Sequence, residues 1–185
     1  MFSRRVGKLK ELFSTIQQFR ELEKHNLEGI QPIVDKFATT VKDFQKKNHK
    51  LLDYNNGLFD KDYVEFNVQV SHVEIDLRDY INKNFDHITN IEDSLKLLRK
   101  FRFILKRPML KKNCDEKYEV LLKSYTKLLD KIESSYSNNN KNPPIVRNLP
   151  TVAGCITWSR HLIHRAMVPL QHFPKEYLID KTTKQ

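Results

Sequence analysis

The sequence predicts an all-α protein, arranged as elongated antiparallel helical bundle segments with five to six helices. Apolar residues recur at intervals of three and four through most of the 185 residues, whereas the alternating pattern typical of strands is rare. Hydrophobic residues make up 39% of the chain, which is enough to form a core. These features favour amphipathic helices over a sheet.

Residues 1–56 form the first predicted segment, with two helices. The first helix is expected to end before Gly29, which can adopt a left-handed cap, and Pro32 opens the second, which Asn55–Gly57 closes. The apolar face of the first helix is Val6, Leu9, Leu12, Phe13, Ile16, Phe19 and Leu22, and that of the second is Ile33, Phe37, Val41, Phe44, Leu51 and Leu52.

Residues 57–137 predict a three-helix bundle segment. Thr89 and Glu92 indicate a capping box, with Ile88 as its staple, for a fourth helix that Pro108 ends, and a fifth helix begins near Asp115. The third helix has a heptad-like face of Phe59, Tyr63, Phe66, Val70, Val73, Leu77, Ile81 and Phe85. The fourth has Ile91, Leu95, Leu98, Phe101 and Leu105, and the fifth has Tyr118, Leu121, Leu122, Tyr125, Leu128, Leu129, Ile132 and Tyr136.

The C-terminal part is predicted to contain one further helix. An asparagine run followed by two prolines indicates a linker over residues 138–149. A helix over residues 150–170 follows, stopped by Pro169 and Pro174, and residues 171–185 are expected to fray. The apolar face predicted for this helix is Val152, Cys155, Ile156, Leu162 and Ile163.

Several classes of function lack their sequence signals. With four glycines, the chain has neither a phosphate-binding loop nor a dinucleotide turn, and it has no nucleophile elbow or zinc-protease motif. Lysines beside Cys114 could lower its pKa, but no histidine is placed beside it, and Cys155, His161 and His164 fall short of four zinc ligands. No signal peptide or membrane span is evident. We therefore predict no catalytic residue, metal or cofactor, no membrane association, and an intracellular location.

Charge is concentrated in one stretch, the basic segment Lys96–Lys112, which carries eight Lys or Arg residues and no Asp or Glu. The whole chain has a net charge of +10. The segment could contact phosphates or an acidic partner, although a solvated helix face is the simpler explanation. RNA reading is disfavoured because Phe101 and Phe103 belong to a helical pattern and not to an exposed strand.

The stretch PPIVRNLPTVAGCITWSRHLIHR, the signature region Pro143–Arg165, resembles a segment in the N-terminal tail of axonemal dynein heavy chains. FDKDYVEFN, ITNIEDSLKLLRKF and KYEVLLKSY precede it in the family's order and spacing. The similarity covers about residues 57–170 and is greatest to outer-arm chains. Thr151 replaces the usual second proline, and the ATP-hydrolysing motor modules are absent, so we expect a fragment or truncated chain.

The resemblance implies a set of structural and contact residues. The structural signature would be Pro143, Pro144, Asn148, Pro150, Gly154 and Trp158. Partner-binding residues would be Arg99, Lys100, Arg102, Lys106, Arg107, Lys111, Lys112, Trp158, Arg160 and Arg165. Pro150 would set the helix start, Gly154 would allow close backbone approach, and Trp158 would act as an anchor. Alternatively, each of these residues only braces the fold.

The function implied is that of a non-catalytic tail segment. It would mediate association of dynein heavy chains and docking of intermediate and light chains, with indirect attachment to microtubules, in the cytoskeleton of the ciliary or flagellar axoneme. The alternative is a free-standing basic helical protein that binds nucleic acid or an anionic surface. Salt distinguishes the two, because contacts with phosphates weaken steeply as salt rises whereas apolar helix packing persists.

Overall fold

A computed structural model describes residues 2–25, 27–49, 57–145 and 149–179, and these residues confirm the all-α prediction. Among them are seven α-helices, one 3₁₀ turn and no strand. The helices are α1 (Phe2–Lys24), α2 (Gln31–Lys46), α3 (Leu58–Asp86), α4 (Ile91–Lys100), α5 (Pro108–Asn139), α6 (Thr151–His172) and α7 (Lys175–Ile179), and the 3₁₀ turn is Arg102–Ile104. The antiparallel bundle packing and the segment boundaries given above stay predictions.

The chain divides into two compact units. Unit 1 comprises Met1–His87 and Lys100–Asn113, and unit 2 comprises Ile88–Arg99 and Cys114–Gln185. In unit 1, α3 packs against α2, and α1 packs against α2 and the 3₁₀ turn. The rings of Phe19 and Phe37 stack 3.9 Å apart between α1 and α2. Seven of the eight seam residues predicted for α3 are buried, and Phe85 is half-buried.

Unit 2 is organised around aromatic residues of α5. The hydroxyl of Tyr125 donates a 2.8 Å hydrogen bond to the carbonyl of Ala166 in α6, and its ring lies 5.7 Å from that of Phe173. Tyr118 stacks on Tyr177 of α7 at 4.6 Å. These contacts attach α6 and α7 to one side of α5.

The end of α1 and both ends of α2 test the predicted helix boundaries. Gly29 adopts the expected left-handed conformation, with φ of 77°, and Pro32 lies in the first turn of α2. However, α2 ends at Lys46, and Asn48 supplies the left-handed residue, with φ of 41°. Asparagine tolerates this conformation because its short polar side chain bonds locally. The second helix thus ends before the closure predicted at Asn55–Gly57, and Gly57, with φ of −79°, stands at the start of α3. Leu51, Leu52, Asn55 and Asn56 lie outside the described residues.

The fourth helix begins one residue later than the Thr89 capping box predicts. Asn90 caps α4, because its side-chain oxygen accepts a 3.2 Å hydrogen bond from the backbone N–H of Glu92. The helix then ends at Lys100. Pro108 begins α5 and does not end the preceding helix, because proline fits the first helical position, where no N–H partner is needed. As a result, α5 begins well before Asp115.

The last long helix differs from its prediction in length and in orientation. Pro169 lies inside α6 and is buried, and the helix continues to His172 before Pro174. The lost hydrogen bond to the carbonyl of Arg165 is thus tolerated where the proline ring packs. Of the predicted core face, Leu162 is buried and Cys155 half-buried, but Val152, Ile156 and Ile163 are exposed. Phe13 of α1 is likewise exposed, against the prediction.

Candidate interaction surface

The basic segment is exposed along most of its length. Of the cations of this segment, Lys96 and Arg99 are exposed in unit 2, and Lys100, Arg102, Lys106, Lys111 and Lys112 are exposed in unit 1. Within the described part of the chain, Arg99 and these five form no ion pair. Lys96 differs, because its ammonium lies 2.5 Å from the carboxylate of Glu92, and this hydrogen bond raises the pKa of Lys96. The segment therefore presents several cations that no carboxylate of the described residues neutralises.

Arg107 departs from the predicted contact set because it already binds within unit 1. Its guanidinium lies 3.0 Å from the carboxylate of Glu74 and donates a hydrogen bond to the hydroxyl of Thr15. Burial raises the pKa of Glu74, and the charge of Arg107 opposes that rise. The interaction joins the segment after the 3₁₀ turn to α1 and α3. The sequence contains one signal for this ion pair. Glu74 directly follows Val73 of the buried α3 seam, and a carboxylate close to a core needs a cationic partner.

Two of the signature residues, Pro150 and Gly154, lie at the start of α6. The carbonyl of Pro150 accepts a 2.8 Å hydrogen bond from the N–H of Gly154, which closes the first helical turn. A Cβ atom placed on Gly154 would clash with Cγ2 of Ile145. Only glycine lets Ile145 approach this closely without a shift. Pro143 and Pro144 precede Ile145 in non-helical backbone, and Asn148 lies outside the described residues.

Trp158 is half-buried and packs inside unit 2. Its ring stacks on that of Tyr136 of α5, with centroids 6.1 Å apart and planes 12° apart. This contact braces α6 against α5, which is one of the two roles considered for Trp158. Arg160 and Arg165 are exposed, and neither forms an ion pair with any residue that the structure describes.

A second exposed surface follows one side of α6, and three of its four residues belong to the apolar face that the sequence predicts for this helix. The apolar stripe consists of Val152, Ile156, Ile163 and Met167, whose exposed fractions are 74%, 47%, 62% and 49%. Their spacing of four, seven and four residues confines them to about 60° of the helix circumference. The buried residues of α6 (Gly154, Leu162 and Pro169) lie on the opposite side.

A groove of about 480 Å³ lies between α2 and α3 in unit 1. Its charged walls are paired with one another, since the ammonium of Lys47 lies 2.7 Å from both Asp62 and Glu65. Lys36, also on its wall, pairs with Asp76 at 2.5 Å. The charges of Lys36, Lys47, Asp62 and Glu65 are thus already paired within the protein, so the groove does not present them to a ligand.

Reactive groups do not converge in the described residues. Burial raises the pKa of the Cys114 thiol to about 11, with a contribution from Asp115, so the lowering considered from the neighbouring lysines is wrong. That thiol is therefore a poor nucleophile at neutral pH. Across the described residues, no group of three His, Cys, Asp or Glu side chains is arranged to hold a metal ion. None of the helices described is both long and apolar enough to cross a membrane.

A helical chain that carries exposed cationic and apolar surfaces is typical of a segment that packs against other polypeptides. The comparisons identify the class more closely: residues 1–185 match the family described as dynein heavy chain, N-terminal region 1. The chain therefore belongs to the dynein heavy chain family and corresponds to its N-terminal region.

Individual relatives agree with this assignment. The dynein gamma chain of the flagellar outer arm from Chlamydomonas reinhardtii is 39% identical over 170 residues, covering 91% of this chain. Dynein axonemal heavy chain 5 from Mus musculus is 30% identical over 99% of the chain, and the ciliary dynein beta chain from Heliocidaris crassispina is 28% identical over 91%. The chain spans about 4% of the length of each of these relatives.

Proposed function

We propose that this chain is a non-catalytic segment of an axonemal dynein heavy chain tail, which mediates heavy-chain association and docks intermediate and light chains in a ciliary microtubule motor complex. The observation that carries the proposal is the family match over residues 1–185, to the N-terminal region. Relatives named for the flagellar outer arm and the cilium support an axonemal location and attachment to microtubules through the complex.

The exposed surfaces supply a physical basis for such a role. Unneutralised cations of the basic segment can steer an acidic accessory chain and set its orientation, because complementary charge contributes to on-rate and specificity. Apolar side chains left exposed on a helix provide the area whose burial gives affinity. The residues proposed for partner contact are Arg99, Lys100, Arg102, Lys106, Lys111, Lys112, Arg160 and Arg165, with Arg107 and Trp158 acting from within their units.

Affinity capture tests the proposal. The tagged chain is incubated with axonemal extract and washed at low and then at high salt, and retained proteins are identified by mass spectrometry. We expect dynein heavy and intermediate chains to survive the high-salt wash. Their absence at both salt concentrations would contradict the proposal.

A charge-reversal variant tests the basic segment itself. Lys106→Glu, Lys111→Glu and Lys112→Glu together should reduce recovery about threefold or more at low salt, because steering and rim ion pairs are lost. The matched control reverses Lys42, Lys61 and Lys83, three exposed lysines of unit 1 outside the segment. Equal losses in both triple variants would show that net charge alone matters, against a specific contact.

The second candidate function is binding to nucleic acid or another polyanion, which the exposed cations of the basic segment favour. It predicts that recovery falls steeply with salt, since each phosphate contact releases counterions. Retention of nucleic acid alone, lost at high salt and in the basic-segment variant, would support this function.

A further inference from the structure

The apolar stripe of α6 is fixed in place by packing on the other side of the helix. Leu162 and Pro169 are buried, and the carbonyl of Ala166 accepts a hydrogen bond from Tyr125. Since α6 cannot turn to bury Val152, Ile156, Ile163 and Met167 without losing these contacts, the stripe stays exposed. These four side chains therefore keep apolar area whose burial against a partner would contribute to affinity.

The charged side chains of α6 itself are of one sign. The helix contains Arg160 and Arg165, three histidines and no Asp or Glu. Arg160 lies four residues after Ile156 and three before Ile163, so it borders both on the helix surface. It is exposed and forms no ion pair with a described residue.

Spacing and charge together define the occupant. We propose that the stripe of α6 docks an acidic amphipathic helix of another polypeptide, with apolar residues at heptad spacing and carboxylates beside them that pair with Arg160. This inference rests on the proposed function and names the chemistry of one partner. Apolar residues at spacings of four, seven and four form a narrow seam of the kind that packs against a second helix. A carboxylate of the partner helix beside this seam can pair with the guanidinium of Arg160.

Other occupants fit less well. A second copy placing its own stripe here would bring Arg160 against Arg160 in a symmetric contact, with like charges opposed. A membrane surface favours a broad apolar face with lysines and aromatic residues, whereas this stripe covers about 60° and contains no aromatic side chain. Nucleic acid would leave the apolar side chains without a partner.

Two synthetic helical peptides test the proposal directly. Both carry leucine at heptad spacing, and the remaining surface positions are glutamate in one and lysine in the other. Binding to the full chain is measured by fluorescence anisotropy at about 0.15 M and about 0.5 M salt. The first is about physiological ionic strength, and the second screens exposed charges more strongly. We expect the glutamate peptide to bind at least tenfold more tightly than the lysine peptide at both salt concentrations.

Variants of α6 are compared with a matched pair on α1. Arg160→Glu should lower the affinity of the chain for the glutamate peptide at least tenfold. The double variant Ile156→Gln with Ile163→Gln should lower it by at least the same factor. Lys10→Glu and Phe13→Gln are the controls, because both positions are exposed and they change charge and apolar surface elsewhere. The controls should change affinity less than twofold, and circular dichroism confirms that helix content is kept.

Several outcomes would overturn the inference. These are equal affinity for the two peptides, equal effects of Arg160→Glu and Lys10→Glu, self-association of the free chain that Ile163→Gln abolishes, and binding to phosphatidylserine vesicles that the same variant abolishes. Capture of dynein chains separates this inference from the proposed function. If dynein chains are captured but neither peptide binds, only the present inference fails; if the glutamate peptide binds and no dynein chain is captured, only the proposed function fails.

Discussion

Arg107 and Glu74 form a largely buried ion pair in unit 1, and its stability contribution depends on pH. The side chains are 22% and 10% exposed, so each charge needs the other. Arg107→Met leaves Glu74 buried without its partner and should lower the free energy of unfolding at pH 7 by about 2–3 kcal/mol. Urea unfolding followed by circular dichroism measures this. The double variant with Glu74→Met should recover most of the loss, and failure to recover would mean that the pair is not coupled.

The pH dependence of the Arg107→Met variant has a definite sign. The pKa of Glu74 is already raised by burial, and loss of Arg107 raises it further. A carboxyl whose folded pKa exceeds its unfolded value stabilises the native state fully below the unfolded pKa, and this contribution is lost as pH rises through the folded pKa. The deficit of Arg107→Met should therefore shrink as pH falls from 7 toward the ordinary pKa of 4.5. A constant deficit over that range would contradict this assignment.

Gly154 is required by one close contact, and a double-mutant cycle can isolate it. In Gly154→Ala, the new methyl group meets the stiff β-branched side chain of Ile145. Strain of about 1–3 kcal/mol opposes a gain in helix propensity of about 1 kcal/mol, so we expect net destabilisation. Fluorescence of Trp158, the single tryptophan, reports unfolding of unit 2. In an Ile145→Ala background the same change should stabilise unit 2, and persistent destabilisation there would exclude Ile145 as the cause.

At the scale of elements, α3 offers the clearest comparison of its two sides. Val73 is fully buried and Val68 is 49% exposed, so the same substitution tests burial within one helix. Val73→Ala should cost about 2 kcal/mol, because it removes buried apolar area and leaves a cavity. Val68→Ala should be neutral within about 0.5 kcal/mol, because alanine is the better helix former. Comparable losses, measured by urea unfolding, would mean that both sides of α3 are packed.

Periodicity predicted α3 well because one continuous seam decides which side of that helix is buried, as at Val70, Leu77 and Ile81. Periodicity did not predict the buried side of α6. Apolar residues occupy two sides of that helix, and their spacing alone does not say which side packs against α5. Local chemistry also competed at the ends of helices. Asn90 was preferred over Thr89 as a cap, and Pro108 can either end one helix or begin the next.

The candidate contact residues also fall into two groups, those whose role is predictable from the sequence and those whose role depends on tertiary packing. Exposure of Lys106 and Lys111 follows from their charge and was predictable, whereas the inward role of Arg107 depends on a tertiary neighbour 33 positions earlier in the chain. The stripe on α6 was missed as a surface because its residues are the types that usually form cores. Its exposure is a consequence of how Leu162 and Gly154 orient the helix, which no local pattern encodes.

At the scale of the whole molecule, the chain combines a stable helical framework with surfaces that its own described residues do not cover. The basic segment and the apolar stripe contribute differently to binding. Charge steers the approach of a partner, whereas burial of apolar area contributes to affinity. The family match over residues 1–185 places these surfaces in the N-terminal region of a dynein heavy chain. Our central proposal is therefore that the chain joins other dynein chains mainly through apolar contacts.

Sedimentation with purified outer-arm dynein tests this claim most directly. The tagged chain is mixed with dynein extracted from axonemes, and the mixture is centrifuged through a sucrose gradient at low and at high salt, after nuclease treatment. The account predicts that the chain sediments with the dynein heavy chains at both salt concentrations, because burial of apolar surface persists as ionic strength rises. A chain that stays at the top of both gradients, or that leaves the dynein peak once salt is raised, would contradict it.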